Sequence, residues 1–201
     1  MLNNNNNYLS FNNFRVLPLF PYKMVEHLIK NADENFWKLL KYQTTDALEK
    51  DDLTIKEKKA MIWDGSKPDK EEDYNIFLQP LIGNALDSAE NQCQLRIFRY
   101  DTVPTTAIES EIIYEIDIIT QEKSAMVYYE DMLSERTDLI EYYLLDVLNG
   151  ADISGTGVLV FDRQFSRTCK SLLNISNSKS FYGRSLFLGQ RLIDPDNGGG
   201  C

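Results

Sequence analysis

From Glu111 to Ile118 polar and apolar side chains alternate, with Ile113 the one exception. Ile112, Tyr114, Ile116 and Ile118 fall on one face, and Glu111, Ile113, Glu115 and Asp117 on the other. A period of two belongs to a strand with one buried face, and no helix produces it. Further on, Leu139, Ile140, Tyr143, Leu144, Val147 and Leu148 trace a helical stripe of the width that packs on a sheet. The run Leu95 to Val103 supplies a first strand ahead of the alternating one. The stretch Leu95 to Leu148 therefore predicts a hairpin with a helix laid across it.

The flanking segments divide around that unit. Residues 1–24 read as an extended arm. Asn3 to Asn7 form a homopolymer with nothing to bury, a composition that favours disorder. Phe11, Phe14, Leu17 and Phe20 follow and would be costly to leave in water, so the arm is expected to lie on its own domain or on a neighbouring subunit. Pro18 and Pro21 predict an extended course. Residues 25–91 read as a helical region, with Asp33 as a cap, Thr54 and Glu57 as a capping box and a helix from about Leu81 to Asn91. Residues 92–193 form the α+β core of hairpin, helix and two further strands. Its helix is expected to start at Ser134 as N-cap and to close at Asn149-Gly150. Residues 162–180 read as a long polar loop before a last strand from Phe181 to Leu188, and 194–201 as a flexible tail. The fold class is α+β, with a mainly antiparallel sheet of about four strands packed by helices.

Charge narrows the partners. With 21 Lys and Arg against 31 Asp and Glu the chain carries a formal −10. That opposes general nucleic-acid coating and docking on anionic lipid, both of which need clustered cations. Cys93, Cys169 and Cys201 are odd in number and unpaired in spacing, and no secretory pattern precedes them, so a reduced, cytoplasmic setting is expected. No run approaches the roughly 18 apolar residues of a membrane span.

The candidate chemistry is sparse. Glu111, Glu115 and Asp117 suit the solvated face of an amphipathic strand, or a face that meets a basic partner. Asp117 with Glu122 is the nearest approach to a metal-dependent nuclease, but Glu122 and Lys123 are adjacent and point to opposite faces. His27 is the sole histidine and cannot make a zinc set. Ser154 to Gly157 precedes a strand, the wrong order for a phosphate cradle. Neither a metal nor a cofactor is called for. The doublets Tyr128-Tyr129 and Tyr142-Tyr143 must each turn one ring outward, and Tyr129 and Tyr142 are the residues expected to make subunit contacts.

The hairpin, the helix Asp138 to Leu148 (DLIEYYLLDVL) and two closing strands together resemble the tail-terminator and tail-completion proteins of tailed bacteriophages. Phe36 to Tyr42 (FWKLLKY) through Met61 to Gly65 (MIWDG) is similar to neck or ring proteins of large podoviruses, including crAss-like phages. The resemblance covers residues 36–190 as topology. It implies a homo-oligomeric ring in the virion, assembled in the host cytoplasm at the head–tail junction, with the portal and other neck or tail proteins as partners. A repeated heterologous interface closes such a ring, and Glu111, Glu115 and Asp117 would face a DNA channel whose acidic wall lets the genome slide. A metal-dependent nuclease and a protein-binding adaptor stand as the alternatives.

Overall fold

Among the described residues the main apolar core gathers side chains from the helices at 20–31, 34–41 and 136–148 and from the largest sheet, and Tyr74 and Phe77 form a small separate cluster. The computed structural model describes residues 17–63, 74–80, 93–105, 109–153, 157–161, 172–175 and 181–193. Phe11 and Phe14, the expected helix at Leu81–Asn91 and the tail 194–201 lie outside these residues.

Helix α1 (Phe20–Asn31) follows a 3-10 turn at 17–19, with Pro21 in its first turn. The end of the expected extended arm is thus helical. Proline fixes φ near the helical value and lacks only an N–H that a first turn leaves unpaired. Phe20, Met24, Val25 and Leu28 are fully buried, and the Phe20 ring stacks on Tyr114 with centroids 4.6 Å apart.

Helix α2 (Glu34–Lys41) starts at Asp33, whose Oδ1 accepts from the Asn35 N–H at 2.8 Å. Such a cap contributes about 1 kcal/mol. Helix α3 (Ile55–Ala60) begins with the expected capping box: Thr54 N donates to Glu57 Oε2 at 2.8 Å, and Glu57 N donates to Thr54 Oγ1.

The main sheet runs in the order β1 (Ile76–Phe77), β2 (Gln94–Pro104), β3 (Glu109–Gln121), β8 (Phe181–Ile193) and β6 (Leu159–Val160), with β7 (Leu172–Ile175) also on β8. β1 is parallel to β2 and every other pairing is antiparallel. The sheet is therefore mixed and wider than the four strands expected, and β7 lies within the stretch expected to be loop. β3 and β8 pair from Glu109↔Ile193 to Gln121↔Phe181. Gly183 sits where a Cβ would lie 2.2 Å from the Ile118 carbonyl oxygen, so no larger residue fits without moving the strands.

A second sheet, β4 (Met126–Tyr129) and β5 (Met132–Glu135), turns at Glu130 and Asp131, both with positive φ. Two left-handed residues make the tight turn that matches strand twist. β5 continues directly into helix α4 (Arg136–Leu148), whose N-cap is Glu135, the last residue of β5 and one position beyond the expected Ser134. Asn149 is the C-cap, and Gly150 follows at φ +87°. Ile140, Tyr143, Leu144 and Leu148 press the α4 stripe into the core.

Arg136 joins these layers. It is fully buried and donates only to backbone carbonyls: Nε to Ser124 at 2.6 Å, Nη1 to Leu39 at 2.6 Å and Tyr42 at 2.8 Å, and Nη2 to Thr44 at 2.9 Å. Leu39 and Tyr42 are at the C-terminal end of α2, where carbonyls lack helical partners and the dipole favours a cation.

Candidate functional site

The regular register of β2, β3 and β8 sets the outer face of the sheet in rows. Arg96, Asp117 and Ser185 form one row, and Phe98, Glu115 and Phe187 the next. Asp117 is only 6% exposed, and Ser185 Oγ donates to its Oδ1 at 2.6 Å. Glu115 stands between two phenylalanines. Burial first, then the Asp117 charge and a hydrogen bond to Asp117 that only protonated Glu115 can donate, push its pKa up to about 7. Arg96 is also withdrawn from water. Burial loosens its proton, the Asp117 charge opposes that, and its Nη1 donates to the Pro80 carbonyl at 3.4 Å. Glu111, opposite Val103 and Arg191, is half-buried. The three acids expected to line a channel do share one face. That face is not a solvated wall, however, because Asp117 is buried and Glu115 sits in apolar surroundings.

Asp117 and Glu122 are not brought together. Glu122 opens a 3-10 turn after β3, five residues and about 16 Å along the strand direction from Asp117. Among the described residues no three His, Cys, Asp or Glu side chains group as metal ligands. Cys93 is buried, and its thiol is pushed up to about 11 by that burial.

The expected contact residues separate into three groups. Leu17 and Phe20 belong to this chain's own core rather than to a strap. Tyr142 is 55% exposed and turned outward on α4, as expected of one ring in its doublet. In the other doublet the outward ring is Tyr128, at 54%, while Tyr129 is half-buried, because β4 turns Val127 and Tyr129 to the opposite face from Tyr128. Tyr128 lies directly across from Leu133, 53% exposed, with Met126 on the same face. This apolar cross-strand patch has a firm base, since Tyr128 N donates to the Thr45 carbonyl at 2.8 Å and Arg136 anchors the end of the hairpin.

A second apolar surface shares no residue with the first. Tyr22, Val25 and Ile29 on α1, with Ile62, Trp63 and Leu78, line a groove of about 620 Å³. Exposed Glu26 and Lys59 border it as well. Trp63 Nε1 is screened from water and has no hydrogen-bond partner among the described residues. The Trp63 ring also packs on Phe77, with centroids 6.2 Å apart, in a small cluster with Tyr74. Its place in a groove depends on β1, two residues long, which holds Trp63 through an N–H to the Ile76 carbonyl at 2.9 Å.

These features define an α+β domain whose distinctive chemistry is in its apolar surfaces. The YomW family model matches residues 33–188, and the chain belongs to that family, a phage-derived one. No curated protein and no solved structure matches. No helix of the described residues is long and apolar enough to cross a membrane.

Proposed function

We propose that this chain is a structural subunit of a phage particle that forms a ring in the neck or tail at the head–tail junction, alongside the portal and other neck or tail proteins. The observation that carries the reading is the exposed pair Tyr128 and Leu133 on a hairpin braced from below. Burying two such side chains contributes about 1.5–3 kcal/mol each, which is a reason for them to meet a partner. A ring needs two different complementary surfaces on each subunit, and the hairpin patch and the α1 groove are two such surfaces. The phage-derived family supports the setting. The acidic balance suits a wall past which DNA slides, although Asp117 itself adds little to it.

The test is the protein's copy number in purified particles, set against its native mass alone. Ring stoichiometry in the particle, and a closed multiple of 23.2 kDa in solution that Tyr128→Asp with Leu133→Asp reduces, are the expected outcomes. Absence from purified particles sinks the reading.

A further inference from the structure

The hairpin of β4 and β5 has an open edge as well as an exposed face. We propose that the outer edge of β5 takes up an extended segment of a partner protein as a third strand. That segment is basic, with Lys or Arg two residues to either side of an apolar residue that pairs with Leu133. The inference goes beyond the ring and does not depend on it, because it concerns the edge of the hairpin rather than the face that Tyr128 presents.

The ladder identifies the open groups. In an antiparallel pair, residues that exchange hydrogen bonds alternate with residues whose backbone groups point outward. Tyr128 N donates away from β5, to the Thr45 carbonyl, and Arg136 N donates to the Ala125 carbonyl at 2.7 Å. These two bonds fix the alternation: Tyr129 with Met132 and Val127 with Ser134 are the bonded pairs, and Tyr128 with Leu133 is not. The Leu133 N–H and C=O therefore point away from β4, and the Glu135 N–H faces the same way. Both Leu133 groups are without a partner among the described residues. Other edges are closed. Thr45 covers the outer side of β4, and Gly150 and Ala151 bond both backbone groups of Leu159 on β6. Met132, 63% exposed, and Leu133 flank the open edge, so an added strand gains apolar cover along with hydrogen bonds.

Charge selects the occupant. Glu130 and Asp131 are exposed at the turn and have no ion pair among the described residues. Glu135, Asp138 and Glu141 follow, with Arg184 beside them, while Arg136 is buried below. A second copy of β5 fits poorly here. A twofold antiparallel pairing centred on Leu133 would set Asp131 of each chain against Glu135 of the other, and like charges directly opposite are destabilising. Lys or Arg at those two positions of a partner turns both repulsions into attractions.

The probe is the peptide acetyl-Thr-Lys-Val-Ile-Val-Lys-Thr-amide, titrated into the full chain labelled with nitrogen-15. Saturable binding that slows hydrogen exchange at the Leu133 amide is the expected result. Glu in place of both lysines should weaken binding about tenfold or more. N-methylation of the peptide's Ile amide, which faces Leu133, should weaken it about tenfold, whereas N-methylation of the next Val amide, which faces away, should have little effect. Leu133→Pro removes the outward N–H without removing a hairpin bond, and Asp131→Asn removes a charge at a left-handed position that Asn tolerates. Each should weaken binding with unchanged circular dichroism. Absence of saturable binding at millimolar peptide overturns the proposal. Equal binding of the Glu peptide overturns its charge argument, and equal binding of the two methylated peptides overturns pairing at the edge.

Discussion

Arg136 and Glu115 are both charged side chains withdrawn from water, and they lie on opposite faces of the same sheet. Around Arg136 each hydrogen bond ends on a carbonyl oxygen: four backbone groups from three separate segments surround one cation. Around Glu115 the neighbours are Phe98, Phe187, a second acid and the Ser185 hydroxyl, whose hydrogen bond only partly offsets the burial, and no cation lies within ion-pair distance among the described residues. The first arrangement satisfies the charge and fixes α2, the 42–45 segment and α4 to one another. The second does not satisfy it, and the carboxyl responds by holding its proton. Burial alone therefore does not make a charge structural or poised. The partners decide which.

Breaking the Arg136 side has the largest expected effect. Arg136→Met keeps much of the apolar stem but leaves the four carbonyls to find water in a closed core. Removing one side of a fully buried polar network costs about 3–5 kcal/mol. Urea unfolding should show that loss as a lower midpoint with an unchanged slope. Arg136→Lys, with a point-like donor in place of a planar fork, should recover only part of it. An unchanged midpoint in Arg136→Met would mean that water replaces the guanidinium without penalty.

The difference between the two sites also accounts for what could be read in the chain before folding. Ile112 to Ile118, Thr54 with Glu57, Asp33 and the Leu139 to Leu148 stripe are local patterns, and each reappears as the expected element. Arg136 has no local signature. Its partners Leu39, Tyr42 and Thr44 are 92–97 residues away and act through carbonyls that any residue possesses. Asp117 departs from the solvated position expected of it for a related reason. Alternation identifies its face, but what covers that face comes from Arg96 and Ser185 on distant strands. β1, β5 and β7 are too short for periodicity to register. The outward ring on β4 is Tyr128 rather than Tyr129, and a doublet shows that one ring faces out without showing which.

The Glu115 side can be sharpened with pH. Its folded pKa, near 7, is above the ordinary carboxylate value of 4.5, so the fold favours the protonated form. Below the ordinary value both folded and unfolded chains hold the proton, and Glu115 is neutral toward stability. Between the two values the unfolded chain releases its proton first, so stability falls as pH rises, and above about 7 the whole penalty is present. Glu115→Gln keeps the shape and removes the charge. It should raise the thermal midpoint by several degrees at pH 8 and leave it unchanged at pH 4. An equal gain at both pH values would show that packing, not ionisation, is responsible.

Arg184 lies between the two extremes and should show the smallest effect. It points from β8 toward α4, with Nη2 2.7 Å from Asp138 Oδ1 and 3.7 Å from Glu135 Oε2, and Nη1 3.8 Å from Glu141 Oε2. Three acids around one arginine look like an anchor, but Arg184 is about one-third exposed and Asp138 about half. Exposed pairs of this kind contribute about 0–1 kcal/mol because water and salt already screen them. Only the Asp138 contact has the length of a hydrogen bond, and Asp138 is also favoured by its place in the first turn of α4. Arg184→Ala should therefore lower the thermal midpoint by no more than about 2–4 °C. Raising salt to 1 M should shrink the difference between variant and parent, whereas the Arg136→Met deficit, arising from hydrogen bonds sealed away from ions, should persist. A salt-insensitive Arg184 deficit would place this residue with Arg136 and remove exposure as the property that separates them.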